Sequence, residues 1–409
     1  MTAEGFRSRD RRPSLTRRAM MKASAAGLLA QAMPVGLGAA FAQNKPVKIG
    51  VLAPLSGVYA SLGTNKVNGI RMFFEEQGMK IGDRPVELIV EDDEAKPQEG
   101  LRKARKLIEQ DEADVLLGVI SSAIGLALKD YVARAKRVWV TTGAAADGIF
   151  KKKNKNPYAF RASLSVWQAN NPLGTWLSDK NYDRYYVAGP DYAMGREAVD
   201  AFRVPFEVNK AKKVGEAFVP LGTSDFAAYL ADIKKAEPNL VYASFAGSDA
   251  VRFVQQYAGF GLKEKIKLAG YGYLVSDDVL EAQGDAALGI LSGHNWASGL
   301  DTPANQRFMA EYRRRYANAA PTVDSVAGYV GAQIVAEAVK SLGGSIGSQE
   351  ALGEAILKVK IYTPRGPVSF DPETHNVVQN IYVLEVVRDG PELKNKVLAT
   401  YENVRDPGV

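Results

Sequence analysis

The sequence predicts an α/β protein built from two doubly wound lobes, and three observations carry that expectation. From Pro46 onward, short apolar runs alternate with stretches whose apolar residues recur at helical spacing. Each helical stretch is long enough to return the chain across a sheet, so successive strands pair in parallel through right-handed crossovers. The alternation runs twice, to about Thr141 and again from Tyr185 to Gly270, before a tail of consecutive helices and a strand pair.

The first series opens with Val47–Ala53, a β-branched run followed by the turn Pro54-Leu55-Ser56-Gly57. Asn65–Glu76 then places Val67, Ile70, Phe73 and Phe74 on one helical face. Strand Val86–Glu91, helix Pro97–Gln110, strand Val115–Ile120, a helix through Ala135 and strand Val138–Thr141 complete it. The second series holds strands Tyr185–Ala188, Val214–Val219, Leu240–Phe245 and Ile266–Gly270, with helices Gly195–Val208, Phe226–Ala236 and Asp249–Gly259 between them. In the tail, helices Pro303–Tyr316, Ser325–Leu342 and Ser348–Lys358 are expected to return to the first lobe. Strands Val368–Phe370 and Val377–Val387 are expected to return to the second.

The start of the chain reads differently. Thr16-Arg17-Arg18-Ala19-Met20-Met21-Lys22 precedes a mild apolar run, and Ala40-Phe41-Ala42 forms a small-x-small exit before Gln43. A basic leader, an apolar segment and such an exit describe a secretory signal peptide over residues 1–42, cleaved near Ala42/Gln43. The paired arginines resemble the twin-arginine export signal, which implies delivery to the periplasm. That segment carries +5 of the formal net charge of +6, so the remaining 367 residues are nearly neutral and give no basic face for nucleic acid. The chain has no cysteine, which excludes disulfides, thiol nucleophiles and a lipid-bearing cysteine. At about 100–200 residues per domain, 367 residues accommodate two cores.

Reaction chemistry is sparse. His294 and His375 are the only histidines and neither has a metal-ligand partner at a usual spacing, so no metal is expected. No Gly-Lys pair and no Gly-x-Gly-x-x-Gly after a strand occurs, so neither nucleotide motif is present and no cofactor is expected. Glu91-Asp92-Asp93-Glu94 reads as a capping and solvating cluster where a strand gives way to a helix. Gly343-Gly344-Ser345-Ile346-Gly347 satisfies the nucleophile-elbow pattern, with Asp371 and His375 following in triad order. That motif requires a strand-to-helix turn. Here it joins two helices, so a secreted serine hydrolase is the secondary reading and no enzyme is the primary one.

Three segments follow the first-series strands in order. Pro54-Leu55-Ser56-Gly57 with Ala60 and Gly63 comes first, then Gly118 through Ser121-Ser122, then Thr142-Gly143-Ala144-Ala145-Ala146. Together they resemble the periplasmic solute-binding proteins of the branched-chain amino-acid type that feed ABC transporters, over about Val47 to Val387. The resemblance implies the type I periplasmic-binding fold, two lobes joined by three crossing strands with a ligand between them. Lobe 1 would comprise 46–162 plus 292–366 and lobe 2 163–291 plus 367–409, with crossings near Ala162, Ser292 and Gly366. It also implies a small-molecule ligand, an inner-membrane ABC permease as partner, and a monomer that closes on its ligand. A periplasmic sensory role fits the same residues.

Each segment lies beyond the carboxyl end of a parallel strand, where open α/β sheets bind ligands, and leads toward amide groups that favour anions. The resemblance assigns the ligand carboxylate to Ser122 and to backbone groups near Ala144 and Ala146, with Ser121 and Thr142 close enough to share it. Tyr192 matches an aromatic that closes over the ligand, and Phe245 and Tyr271 end later strands facing the same cleft. The plain alternative is that the small residues only permit tight turns and the aromatics are core. Amino-acid binders carry an acid after the strand Ile266–Gly270 to pair the ligand ammonium, whereas this chain has Tyr271-Gly272-Tyr273 there. Leu62 stands where those binders have an aromatic. Burying an ammonium without a carboxylate is costly. The expected ligand is therefore an aromatic or similar organic acid, with an amino acid or amide as the alternative should Asp324 reach the cleft.

Overall fold

The computed structural model describes residues 45–409, and the leader expected over 1–42 lies outside them. Two sheets organise the chain. The first contains β1 (Val47–Ala53), β2 (Lys80–Ile81), β3 (Arg84–Asp92), β4 (Val115–Gly118), β5 (Trp139–Thr141) and β6 (Ala159–Arg161), in the order β2-β3-β1-β4-β5-β6. All its pairings are parallel except that of the short β2 with β3.

Helices cover both faces, as parallel sheets require. Along β1 the alternation is direct: Val47, Ile49 and Val51 face α1 (Ala60–Glu76), whereas Leu52 faces the opposite core. That second core holds Leu107 beyond α2 (Pro97–Arg105) and Ile124 and Leu128 of α3 (Ser122–Ala135). Fully burying each such side chain contributes about 1.5–3 kcal/mol. This alternation is what makes the sheet doubly wound.

The second sheet holds β7 (Arg184–Pro190), β8 (Lys212–Val219), β9 (Leu240–Ala243), β10 (Lys267–Tyr271), β11 (Leu291–His294), β12 (Ile361–Thr363), β13 (Gly366–Phe370), β14 (Val377–Asp389) and β15 (Glu392–Val404). Its order is β12-β13-β14-β11-β10-β9-β7-β8, with β15 also pairing β14. Tyr185 and Val187 of β7 pack with α4 (Val166–Ser178) and α5 (Ala193–Val208). Tyr186 and Ala188 face α6 (Ala227–Ala236) and α7 (Gly247–Gly259). The short α8 (Asp277–Gln283) follows β10.

The tail helices α9 (Pro303–Arg315), α10 (Val323–Ser341) and α11 (Gln349–Lys358) return to the first sheet, where Val330 and Ile334 share a core with β1 and α1. Contact between α1 and α10 is at backbone distance. A Cβ added to Gly69 would lie 1.9 Å from the Ser325 carbonyl oxygen, and one added to Gly328 would lie 2.2 Å from that of Lys66. Ser292, near which a crossing is expected, lies inside β11, which is paired to β10 through Gly293 and to β14 through His294. Also unforeseen were β6, β15, α4 and α8.

Candidate functional site

A cavity of about 470 Å³ opens where the carboxyl ends of the two sheets face each other. Its volume suits a small organic molecule. The first sheet supplies Gly57, Tyr59 and Leu62, then Ser121 and Ser122, then Gly143. The second supplies Tyr192, Ala246, Tyr271 and Tyr273.

The serine wall is shaped by an uncommon backbone. After Gly118 at φ 118°, Val119 takes φ 72°, which is a strained position for a β-branched residue. It is held there because the Val119 amide donates to the Leu52 carbonyl at 2.7 Å and the Val119 carbonyl accepts from Ala144 N–H at 3.1 Å. The twist brings Ser121 to the N-cap of α3 with no side-chain cap. The first-turn amides of α3 have no intrahelical partners, and their dipole favours an anion in the cavity. Ser122 Oγ accepts from Ala146 N–H at 3.1 Å, which leaves its own O–H to donate.

The expected site residues divide into two groups. Ser121, Ser122, Tyr192 and Tyr271 line the cavity. Thr142, Ala144, Ala146 and Phe245 stand behind its wall. Thr142 turns its methyl toward Gly331 of α10, and its carbonyl accepts from Lys66 Nζ at 2.8 Å. The Ala144 amide is spent on Val119 and on Thr141 Oγ1, and the Ala146 amide on Ser122. Those amides therefore build the cradle and are not free to hold a carboxylate. Phe245 packs with Phe226 and Phe253 at 5.2 and 4.8 Å between ring centroids, and Ala246 takes the cavity position beside it.

Three further residues matter that sequence reasoning did not select. Tyr59 lines the cavity, as Tyr192 does from the other sheet. Tyr273 sits beside Tyr271 with ring centroids 5.3 Å apart. Lys66 is completely buried on α1 and pairs with the equally buried Asp324 of α10 at 3.0 Å. Burial pushes the Lys66 ammonium down and the Asp324 carboxyl up, against their mutual attraction. Tyr59 and Tyr273 carried a usable signal, standing just after a strand-end turn and two residues beyond Tyr271. Lys66 carried none, since a lysine in an amphipathic helix ordinarily faces water.

The acidic cluster braces a loop instead of capping and solvating the start of α2, whose N-cap is Lys96 without a side-chain cap, and Asp93 is fully buried. Asp92 Oδ1 accepts from Leu55 and Glu94 amides at 2.8 and 2.9 Å, and Asp93 Oδ1 from Ala95 at 2.9 Å. Burial raises the Asp93 carboxyl to about 6. A second link joins the two sides, where Glu197 of α5 accepts from the Asp147 and Gly148 amides at 2.7 and 3.2 Å. Ser345 lies in the loop joining α10 to α11, away from any strand-to-helix turn, and His375 is stacked on Phe160 at 4.7 Å.

A profile of the periplasmic binding protein family matches residues 46–391. The chain belongs to that family. Among curated relatives, a Leu/Ile/Val-binding protein homolog 6 of Brucella melitensis is 32% identical over 378 residues, 91% of this chain and 96% of that one. An ABC transporter substrate-binding protein from Sphaerobacter thermophilus superposes with a TM-score of 0.85 at 33% identity, covering 89% of this chain and 100% of that one. A solute-binding protein of an ABC transporter from Rhodopseudomonas palustris BisB5, solved with 3,4-dihydroxybenzoic acid, gives 0.84 at 32% identity over 89% and 99% of the two chains. The fold is thus that of the type I periplasmic binding proteins.

Proposed function

We propose that this periplasmic binding protein captures an aromatic or similarly apolar carboxylate for an ABC importer of the inner membrane. The observation that carries the ligand class is the pairing of Asp324 with Lys66 at 3.0 Å. Asp324 is thus already matched by the protein, and the two acids that line the cavity, Glu94 and Asp191, are paired with Lys96 and Arg196. The α3 amides and Ser122 O–H remain for a carboxylate, and Tyr59, Tyr192, Tyr271 and Tyr273 supply flat surface for an apolar body. The dihydroxybenzoate held by the R. palustris relative supports this reading.

Residues following Arg161, His294 and Thr363 act as the hinge between two lobes, and the ligand closes them. The working form is a monomer in the periplasm, reached through a leader cleaved near Ala42. The second reading, a branched-chain amino-acid binder, is favoured by the name of the Brucella relative. A thermal-shift screen of aromatic acids, aliphatic acids and amino acids separates the two. A ligand at about 100 times its dissociation constant adds about 2.7 kcal/mol of stability. A shift confined to aromatic acids supports the proposal, and a shift confined to amino acids refutes it.

A further inference from the structure

The Lys66–Asp324 pair lies directly behind the ligand wall. A Cβ placed on Gly143, itself a cavity residue, would fall 2.5 Å from Lys66 Nζ. Lys66 also holds the Thr142 carbonyl at 2.8 Å, and Thr142 is the residue before Gly143 in the cavity wall. Both members are fully buried, and the close crossing of α1 and α10 fixes them against each other. Asp93 is the other acid acting on this lysine. Glycine at 143 is what lets the ammonium approach the cavity wall so nearly.

We propose that Lys66 is a specificity-determining residue, a resident ammonium just behind the Gly143 wall that matches the Asp324 charge and so selects carboxylates lacking an ammonium. The inference rests on the carboxylate reading of the cleft and names the residue that enforces it. An incoming α-ammonium meets a carboxylate whose charge is already matched, beside a fixed cation of its own sign. Its desolvation is then uncompensated. A bare carboxylate meets only the α3 amides, Ser122 and the field of a paired lysine. Removing the lysine charge frees Asp324 for a ligand ammonium, and removing the acid leaves an unpaired cation behind the carboxylate.

The test uses phenylacetate and phenylglycine, which differ by one ammonium group, titrated calorimetrically into refolded, ligand-free protein. Wild type is expected to prefer phenylacetate. Lys66→Met should narrow the ratio of the two affinities by about tenfold or more, a change equivalent to about 1.4 kcal/mol. Lys66→Met/Asp324→Asn, with neither charge, should return the ratio toward the wild-type value. Asp324→Asn alone should strengthen phenylacetate binding, and it supplies the readout if Lys66→Met does not fold. A wild type that prefers phenylacetate while the folded variants keep its ratio overturns the role of Lys66 alone. A wild type that prefers phenylglycine overturns the carboxylate reading itself.

Discussion

Tyr59, on the short turn leading into α1, and Tyr192, the N-cap of α5, line the same cavity. Their elements follow strands of different sheets, so an occupant of the cavity lies between the two. Tyr59→Phe and Tyr192→Phe each remove one hydroxyl, with any hydrogen bond it makes to its counterpart or to the ligand, while keeping the ring. A hydrogen bond of this kind contributes about 0.5–1.5 kcal/mol, so each variant should bind ligand roughly threefold to tenfold more weakly. The double variant should be no weaker than the worse single one, and additive losses would show that the hydroxyls act separately.

Ser122→Ala leaves Ala146 N–H without its acceptor and removes the hydroxyl donor that the proposed function gives to the ligand carboxylate. Hydrogen bonds to charged groups contribute about 1.5–3 kcal/mol, so carboxylate affinity should fall at least tenfold. Ser345→Ala, in the α10–α11 loop, should leave binding unchanged. Equal behaviour of the two variants in equilibrium titration would remove Ser122 from the site.

Gly63 supports the first cavity loop by proximity. A Cβ there would lie 1.8 Å from the Pro54 carbonyl oxygen, a backbone atom that cannot step aside. Gly63→Ala should destabilise the protein by about 3 kcal/mol, read as a lower denaturation midpoint in urea. An unchanged midpoint would mean that the loop shifts freely.

His375 gives the pH dependence a sign. Burial holds its imidazole down at about 4, below the ordinary 6.5, so the folded protein keeps it neutral. The unfolded chain binds the proton first, and the stability due to this group is present above about pH 6.5 and lost as pH falls toward 4. His375 has φ 59°, a conformation asparagine tolerates. His375→Asn should therefore lower stability at neutral pH, through the lost stack on Phe160, yet show a shallower decline between pH 6.5 and 4. Parallel curves for the two proteins would contradict the assignment.

Much of this architecture was written plainly in the chain. β1 runs over the seven residues its apolar pattern marks, and the turns after β1, β4 and β5 form one wall of the cavity. β15 was not legible because its residues alternate between partial exposure and solvent, and Lys394, Lys396 and Glu402 hide the apolar period. Its hairpin turn at Asp389-Gly390 was the available signal. Within the site, Tyr271 follows from strand-end position, and Ser122 from the resemblance of its turn to the family's. Thr142 and Ala144 required knowing where their hydrogen bonds go. Lys66 depends on the tertiary approach of two helices distant in sequence, which no local pattern encodes.

The central claim is that the cleft selects a carboxylate without an ammonium. Titration calorimetry on refolded, ligand-free protein tests it most directly, comparing benzoate-type acids with leucine, isoleucine and valine in one buffer. The account predicts that an aromatic carboxylate binds at least about tenfold more tightly than any of the three, a gap of about 1.4 kcal/mol that is smaller than the penalty of an unpaired buried ammonium. Leucine binding as tight as or tighter than the aromatic acids would contradict it and make Asp324 the partner of the ligand.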